Sequence, residues 1–333
     1  MKISVVMTTY NGARYLHTQL QSIVNQLRLP DELIVCDDAS SDATTEITRS
    51  FTASLPFVVR LYANQARRGA VKNYEQALGH CNADVIVLCD QDDFWRSDKL
   101  ARIEKTFSAS PNVGLLFSDA ELIDEQGTSL NQRLWQYTFT KNHKRQVRSG
   151  KAFEILLQHH IVTGATMAFR GHFKETVLPI PGHIPLLHDG WIALIISAIA
   201  DVAMLEEPLI AYRLHPQQHS GIKRSLKTGS NISLNNISPL GMRSRYYAGE
   251  IEKLCSVHER LTGMLRAMDD PELQEKSEQR IAYVEALLSH FRIRAGLPEE
   301  RWRRIEIVLK ELLAFRYHRY SKGFMSALRD LTI

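Results

Sequence analysis

Three carboxylates stand within four residues at Asp90-Gln91-Asp92-Asp93, directly after an apolar run at 85–89. Carboxylates this close repel one another, and each is costly to remove from water. Their oxygen atoms are the ligands that a hard divalent ion, Mg²⁺ or Mn²⁺, prefers, and such an ion commonly binds phosphate groups as well. The alternative is an acidic turn that caps a helix beginning near Ser97. The cluster alone does not decide between the two.

The cluster follows the last strand of a predicted alternation of strands and helices. Apolar runs predict strands over 3–7, 33–36, 57–62 and 85–89, and amphipathic spacing predicts helices over 14–26, 43–51 and 71–78. This pattern indicates an α/β fold with a mostly parallel sheet covered by helices on both faces. Because ligands bind at the carboxyl ends of such strands, we expect the polar segments 8–10, 37–38 and 90–93 to share one edge.

The rest of the chain divides into a less regular middle and a helical end. Strands are predicted over 113–117, 166–169 and 202–205, and a buried helix over 190–199. Residues 214–239 are rich in Ser, Asn, Gly and Lys and predict a loop, whereas the pattern from about 242 onward is helical. We therefore expect two halves of one α/β domain, 1–113 and 114–225, and a C-terminal helical region, 240–333.

Composition gives no support for a nucleic-acid-binding, a disulfide- or zinc-dependent, or a membrane-spanning protein. The 333 residues carry a formal net charge of +4, which gives no argument for a nucleic-acid partner. The four cysteines form no CxxC pair and have no histidine at zinc spacing, which favours a reducing compartment. No apolar run approaches the about 18 residues needed to cross a bilayer, and the N-terminus lacks the features of a signal peptide. We expect a cytoplasmic protein.

Motif spacing excludes some nucleotide sites and leaves one. Asp37 and Asp38 would suit a dinucleotide fold, but the first strand is not followed by GxGxxG, and no Walker loop is present. An EF-hand beginning at Asp90 fails because Trp95 and Ala101 occupy its glycine and glutamate positions. What remains is a site that binds a base through stacking and hydrogen bonds, and a diphosphate through a metal ion.

At this point the chain resembles glycosyltransferase family 2, whose members have the Rossmann-like GT-A fold. The resemblance rests on three segments in order, 4–11 (SVVMTTYN), 34–42 (IVCDDASSD) and 90–93 (DQDD). It continues over most of the chain through 68–74 (RGAVKNY), 187–191 (LHDGW) and 212–215 (YRLH). The ending at 320–331 is similar to that of bacterial rhamnosyltransferase-like members.

The resemblance implies a metal-dependent, inverting glycosyltransferase and a role for each matching residue. Asp189 would be the catalytic base, although it could also simply cap the helix that follows. The other implied residues are Thr8, Tyr10, Asp38, Arg68, Asn73, Asp90 and Arg213 for the nucleotide sugar, and the DXD-type residues Asp92 and Asp93 with His215 for Mg²⁺ or Mn²⁺. The loop after His215 would be a lid over the bound donor.

The implied donor is dTDP-rhamnose or a UDP-sugar, and the implied acceptor is a hydroxyl of a glycan or lipid-linked saccharide in bacterial O-antigen or capsule synthesis. A sugar nucleotidyltransferase and a non-catalytic sugar-nucleotide-binding protein are the alternatives. Basic and aromatic residues at 301–304 and 316–320 suggest either a solvated helix face or peripheral contact with the anionic inner face of the plasma membrane.

Overall fold

A computed structural model describes residues 1–52, 55–218, 241–266 and 268–332. They form two compact units, one from Met1–Gly182 with the described part of Leu186–Ile232, and one from His183–Pro185 with the described part of Ser233–Ile333. Most of the predicted lid, residues 219–240, lies outside the described residues.

The first unit opens with the predicted alternation of strands and helices. The first four strands are parallel in the order β3-β2-β1-β4. Every residue of β2 and β4 is buried, as expected for strands covered by helices on both faces. The elements are β1 (Ile3–Thr9), α1 (Ala13–Val24), β2 (Glu32–Asp37), α2 (Thr44–Thr52), β3 (Val58–Ala63), α3 (Ala70–Gly79) and β4 (Val85–Cys89).

The sheet continues through strands of both directions. β8 runs antiparallel between β4 and β6, and β6 pairs in parallel with β9. These later elements are β5 (Phe94–Trp95), α4 (Lys99–Ala109), β6 (Val113–Ile123), β7 (Ser129–Arg133), α5 (Trp135–Thr138), α6 (Lys141–Arg148), α7 (Ala152–Gln158), β8 (Met167–Arg170), α8 (Lys174–Val177), α9 (His188–Ile199) and β9 (Asp201–Arg213). The α/β class and the mostly parallel sheet of the prediction are confirmed.

Two strands are longer than their apolar runs predict. β6 and β9 continue past polar residues, Ser118 and Asp119 in β6 and Glu206 and Glu207 in β9, and the register shifts between Ser118 and Ala120. Asp119 is buried there because its carboxylate accepts hydrogen bonds from the Ala120 and Trp135 N–H groups. A buried polar group with its partners satisfied can interrupt an apolar pattern without ending a strand.

The sheet places the predicted polar segments at one edge. Met7 is in register with Cys89, and Thr9 is in register with Asp37, so the residues that follow β1, β2 and β4 emerge side by side. In the sheet, β2 lies on one side of β1 and β4 lies on the other. Such a reversal of strand order opens a crevice at the carboxyl ends of the strands. The expected common edge is confirmed.

The second unit is a helical region, as predicted. Its elements are α10 (Gly241–Leu265), α11 (Pro271–Ala295), α12 (Arg301–Leu313), α13 (Arg316–Tyr320) and α14 (Phe324–Thr332). Val308, Tyr317 and Ala327 pack in its core, and the buried Arg294 guanidinium pairs with the Asp330 carboxylate at 2.6 Å. No helix within the described part of the chain is long and apolar enough to cross a membrane.

Candidate active site

A cavity of about 800 Å³ lies at the carboxyl ends of β1 and β4. Eight of the predicted site residues line it: Thr8, Tyr10, Asp38, Asn73, Asp90, Asp92, Asp189 and His215. Three others, Arg68, Asp93 and Arg213, are not among the described residues that line it. The structure therefore brings most of the predicted residues around one space, although they come from separate strand ends.

Tyr10 is held at the cavity by the side chain of Gln91. The Gln91 amide accepts a hydrogen bond from the Tyr10 N–H at 2.9 Å and donates one to the Tyr10 carbonyl at 3.0 Å. This clamp requires the small residue Gly12, since a Cβ there would lie 2.1 Å from Gln91 Oε1. The Tyr10 ring is 36% exposed, and the Arg67 guanidinium stacks on it at 4.1 Å. The ring is thus a partly open stacking surface on a backbone that Gln91 holds.

Asp38 holds the turn that leads into α3. Its carboxylate accepts hydrogen bonds from the Arg68 and Gly69 N–H groups at 2.7 and 2.8 Å, and from Asn64 Nδ2 at 3.1 Å. Through its N–H, Arg68 shapes the site, but its guanidinium contacts Gln76. Of the two neighbouring arginines, Arg67 lines the cavity. The prediction named Arg68 and missed Arg67.

Asn73 joins α3 to the end of β2. Its side-chain Nδ2 donates to the Cys36 carbonyl at 2.8 Å, and its Oδ1 accepts from Asn64 at 3.1 Å. The side chain is fully buried at the base of the cavity. Asn73 therefore anchors the wall that carries Asp38.

Asp90 and Asp92 are the carboxylates of the acidic cluster that line the cavity. The Tyr74 hydroxyl lies 2.8 Å from Asp90 Oδ1 and 3.0 Å from the Cys89 carbonyl oxygen, and its single hydrogen is shared between these two acceptors. Burial, together with the neighbouring Asp92, raises the pKa of Asp90 to about 7. Asp92 Oδ2 lies 2.7 Å from His215 Nε2. These groups form the polar floor of the cavity.

Asp93 is predicted from the sequence to be a metal ligand at the site. In the structure it lies in the protein interior. It is fully buried, and its Oδ1 accepts a hydrogen bond from the Arg213 N–H at 3.0 Å. Burial and the nearby Asp92 and Asp90 raise the pKa of Asp93 well above its usual range. The buried Lys99 is among the charges that act on it.

Arg213 also serves the turn rather than the cavity. Its guanidinium donates to the backbone carbonyls of Asp92, Asp124 and Glu125 at 2.8, 3.3 and 3.1 Å. The residue is 5% exposed. Because these bonds tie Nε and Nη1 to the backbone of the turn, Arg213 orients the backbone that presents Asp92.

Asp189 stands in the first turn of α9, which begins at His188. Its Oδ2 accepts a hydrogen bond from the Gly164 N–H at 3.0 Å, and its Oδ1 lies 3.2 Å from His160 Nε2. Burial by itself would raise the pKa of Asp189, but the charge and hydrogen bond of His160, together with the Gly190 N–H bonded to Oδ1, outweigh burial and hold the pKa well below its usual range. The carboxylate is therefore ionised at neutral pH, and a helix N-terminus favours that form.

A divalent cation can be tested against this donor set. Among the residues that the structure describes, no three His, Cys, Asp or Glu side chains converge as metal ligands. Mg²⁺ and Mn²⁺ nevertheless need only one or two protein ligands when phosphate and water complete the shell. Asp92 and His215, adjacent at 2.7 Å and both lining the cavity, fit such a partial shell. Asp93 does not line the cavity: its Oδ1 is bonded to the Arg213 N–H, and its buried Oδ2 has no hydrogen-bond partner among the described residues.

Sequence reasoning missed several residues that shape the cavity, among them Gln91, Arg67, Tyr74, Gly164 and His188. Gln91 stood inside the acidic cluster and Tyr74 inside the segment 68–74, so proximity to a motif was the available signal. Gly164 carried no signal, because only the fold brings it beneath Asp189.

Comparison with known proteins finds similar chains. The family model "Glycosyl transferase family 2" matches residues 4–175. An uncharacterized glycosyltransferase of Nostoc sp. is 27% identical over 226 residues, 65% of each chain. A dTDP-rhamnosyl transferase of Shigella flexneri is 34% identical over 98 residues, 28% of this chain and 34% of that protein.

A solved structure shares the fold over nearly the whole chain. The crystal structure of Staphylococcus aureus TarS 1–349 in complex with UDP-GlcNAc aligns with a TM-score of 0.57 at 15% identity, and covers 98% of this chain and 90% of that one. Among the curated relatives the match is shorter. The chain spans 65% and 59% of the length of the first two that it matches.

Proposed function

The chain belongs to glycosyl transferase family 2, and on that premise we propose that it moves a sugar from a nucleoside diphosphate to an acceptor hydroxyl. The observation that carries the proposal is the shared cavity. The ionised Asp189 lines the same space as Tyr10, Asp90 and Asp92, although Asp189 follows the acidic cluster by almost a hundred residues. A proton acceptor and a nucleotide-binding edge thus face one volume.

The nucleotide is proposed to bind along the edge formed by β1, β2 and β4. Tyr10, stacked beneath Arg67 and clamped by Gln91, offers a face to the base. Thr8 and Asp38 line the cavity beside it, and Asp38 keeps one lone pair, on Oδ2, that can accept from a base N–H. We assign Asp90 to the ribose, since it lines the cavity at the end of β4. Asn73, Arg68 and Arg213 do not contact the nucleotide in this proposal. They hold the surrounding backbone and side chains in place through the contacts described above.

The metal ion is proposed to bind at Asp92 and His215. When bound there, Mg²⁺ or Mn²⁺ would neutralise charge on the leaving diphosphate. Arg213 holds the backbone carbonyl of Asp92 at 2.8 Å and thereby presents the Asp92 carboxylate. We place Asp93 outside the ligand shell of the metal ion. Its buried carboxylate, bonded to the Arg213 N–H, joins the turn to β9.

Asp189 is proposed to accept the proton of the acceptor hydroxyl as that hydroxyl attacks the anomeric carbon. Attack from the face opposite the leaving diphosphate inverts the configuration in a single displacement. The Gly164 N–H at 3.0 Å and the His160 ring at 3.2 Å hold the carboxylate in one orientation. Positioned general bases of this kind contribute about 10²–10⁴-fold to rate.

The donor is proposed to be dTDP-rhamnose, with UDP-sugars next. The limited similarity to a dTDP-rhamnosyl transferase supports the first choice. Incubating the protein with Mn²⁺ or Mg²⁺ and a panel of nucleotide sugars, and measuring thermal stabilisation, would identify the donor. Stabilisation by free dTDP or UDP but by no nucleotide sugar would contradict the proposal. Metal-dependent donor binding without any transfer or hydrolysis would instead favour the non-catalytic alternative.

A lipid-linked acceptor in surface polysaccharide synthesis is also part of the proposal, because the helical unit offers a surface that suits a membrane. α12 carries two apolar faces. Val308 packs in the core, whereas Trp302, Ile305, Leu309 and Leu313 recur every three or four residues on the solvent side, with Trp302 68% and Leu313 78% exposed. We call these four residues the apolar stripe. Phe315, Phe324, Met325 and Leu328 are exposed as well.

Charge favours anionic lipid as the occupant of the apolar stripe. Residues 301–332 contain eight Arg or Lys and three Asp or Glu. Two copies of so basic a segment would repel each other, whereas an anionic leaflet attracts it, and exposed aromatic and aliphatic side chains can enter the interface. We therefore propose peripheral contact with the inner face of the plasma membrane.

Flotation with vesicles tests the membrane contact. The intact protein should float with anionic phosphatidylglycerol vesicles and less with neutral phosphatidylcholine ones. Trp302→Ser combined with Leu313→Ser should abolish flotation. Leu27→Ser is the matched control, since Leu27 is 78% exposed but lies in the first unit. If the double variant floats like the control, or if the intact chain binds no anionic vesicle, the membrane contact is wrong.

A further inference from the structure

His188 is a buried polar side chain whose ring nitrogens have no hydrogen-bond partner among the residues that the structure describes. It is 7% exposed, and neither Nδ1 nor Nε2 reaches a donor or acceptor. It lines the cavity beside Asp189. The ring stacks on Tyr74 with centroids 3.7 Å apart and planes 20° apart. The role proposed for the cavity so far makes no use of this imidazole.

An unpartnered buried polar group is unfavourable unless something binds it. Such groups cost about 1–3 kcal/mol, and the few that occur in native proteins call for an explanation. Burial also lowers the pKa of His188 to about 4, so the ring is neutral at physiological pH. A neutral imidazole offers one N–H donor and one acceptor nitrogen. That pair matches a hydroxyl group, which both donates and accepts, better than it matches a phosphate, which only accepts.

We propose that His188 hydrogen-bonds a hydroxyl of the transferred sugar and so helps the enzyme to select its donor. The inference rests on the proposed function and deepens it, because it assigns the sugar-binding part of the same cavity. His188 is a specificity residue in this account, and Asp189 remains the group that accepts the proton.

The position of His188 favours the donor sugar over the nucleotide. His188 is followed in the chain by Asp189, which must approach the acceptor hydroxyl. Its ring stacks on Tyr74, whose hydroxyl lies 2.8 Å from Asp90 Oδ1. In the proposed reaction the transferred sugar lies between the catalytic base Asp189 and the diphosphate. We therefore expect the His188 imidazole to lie beside the sugar ring. Gly164 keeps this space open, since a Cβ there would lie 3.1 Å from His188 Nε2.

The alternative is that the His188 ring has only a packing role, against Tyr74. Phenylalanine would keep the stacking and lose both nitrogens, whereas glutamine would lose the ring and keep one donor and one acceptor. His188→Phe and His188→Gln therefore separate packing from hydrogen bonding. A packing role predicts that the Phe variant is normal and the Gln variant impaired. The proposal predicts the reverse for sugar recognition.

Calorimetric titration of the intact protein with Mn²⁺ tests the proposal. Kd should be measured for the nucleotide sugar that binds the wild type, and for the matching free dTDP or UDP. The Phe variant should bind the nucleotide sugar about tenfold more weakly and the free nucleotide equally well, since one hydrogen bond is worth about a factor of ten at most sites. The Gln variant should recover part of the loss.

Monodeoxy analogues of the same donor sharpen the test. Removal of one particular hydroxyl should weaken binding to the wild type by about the same tenfold and leave the Phe variant unaffected. Equal binding of all donors by the wild type and the Phe variant would overturn the inference. So would equal loss of free nucleotide and nucleotide sugar. If the wild type binds no nucleotide sugar at all, the proposed function fails instead, and the two failures are thus distinguishable.

Discussion

The burial of His188 predicts a specific pH dependence of stability. The pKa of His188 is lowered from 6.5 to about 4 because burial disfavours the charged ring. A group whose pKa is lowered by folding makes the unfolded state bind more protons, so stability rises with pH across that interval. The contribution is fully present above about pH 6.5 and is lost progressively as the pH falls toward 4.

The magnitude follows from the two pKa values. Between pH 7 and pH 5 the unfolded chain becomes almost fully protonated at this histidine, whereas the folded protein stays neutral there. Linkage then predicts a loss of about 2 kcal/mol from His188 alone. The side chain is 7% exposed, so screening by solvent reduces this value little.

Urea denaturation of the intact protein at pH 7, 6 and 5 measures the effect. His188→Phe and His188→Gln both remove the titrating ring while all other titrating groups remain. Relative to either variant, the wild type should lose about 2 kcal/mol between pH 7 and pH 5. The two variants should run parallel to each other. If the wild type also runs parallel to them, the ring is not neutral and buried as described, and the reasoning is refuted.

Three further predictions concern the contacts that shape the cavity. Gly12→Ala would place a Cβ 2.1 Å from Gln91 Oε1, so we expect the hydrogen bonds between Gln91 and Tyr10 to break. In steady-state assays KM for the donor should then rise about tenfold, with kcat nearly unchanged. An unchanged KM would contradict this. Arg213→Met should lower the free energy of unfolding by about 3 kcal/mol, measured in urea, because three carbonyls lose a charged donor; Arg14→Met is the exposed control. Asp92→Asn should weaken Mn²⁺ binding in the presence of UDP or dTDP at least tenfold, measured by calorimetry; wild-type affinity would exclude Asp92 as a ligand.

The sheet and its functional edge could be predicted because they depend on local pattern. Apolar runs of four or five residues predict β1, β2 and β4, and the polar residues after each run predict the edge at which the strands end. Parallel strands bring those ends together whatever the side chains are. This is why the sequence predicts that Tyr10, Asp38 and Asp90 lie at one edge of the sheet.

The orientation of individual side chains could not be predicted in the same way. Asp92 and Asp93 are neighbours of the same type, yet Asp92 lines the cavity and Asp93 is fully buried. What separates them is the Arg213 N–H from β9, 120 residues away in the chain. Arg67 and Arg68 present the same ambiguity, and Asp38 resolves it by binding the Arg68 N–H.

His188 shows a second limit of pattern. In the sequence it is one polar residue before a carboxylate, and nothing local distinguishes it from an exposed helix cap. Its burial depends on Tyr74 of α3, which supplies the stacking face, and on Gly164, which leaves room beside the ring. Contacts between elements far apart in the chain decide whether a histidine is a surface residue or part of a site.

The Asp189→Asn variant tests most directly whether the cavity is a transferase site with Asp189 as its catalytic base. Donor binding and single-turnover transfer should be measured side by side, with Asp269→Asn as the exposed control. We predict donor affinity within about twofold of the wild type and a transfer rate lower by about 10³-fold. A variant that transfers sugar at the wild-type rate would contradict the account.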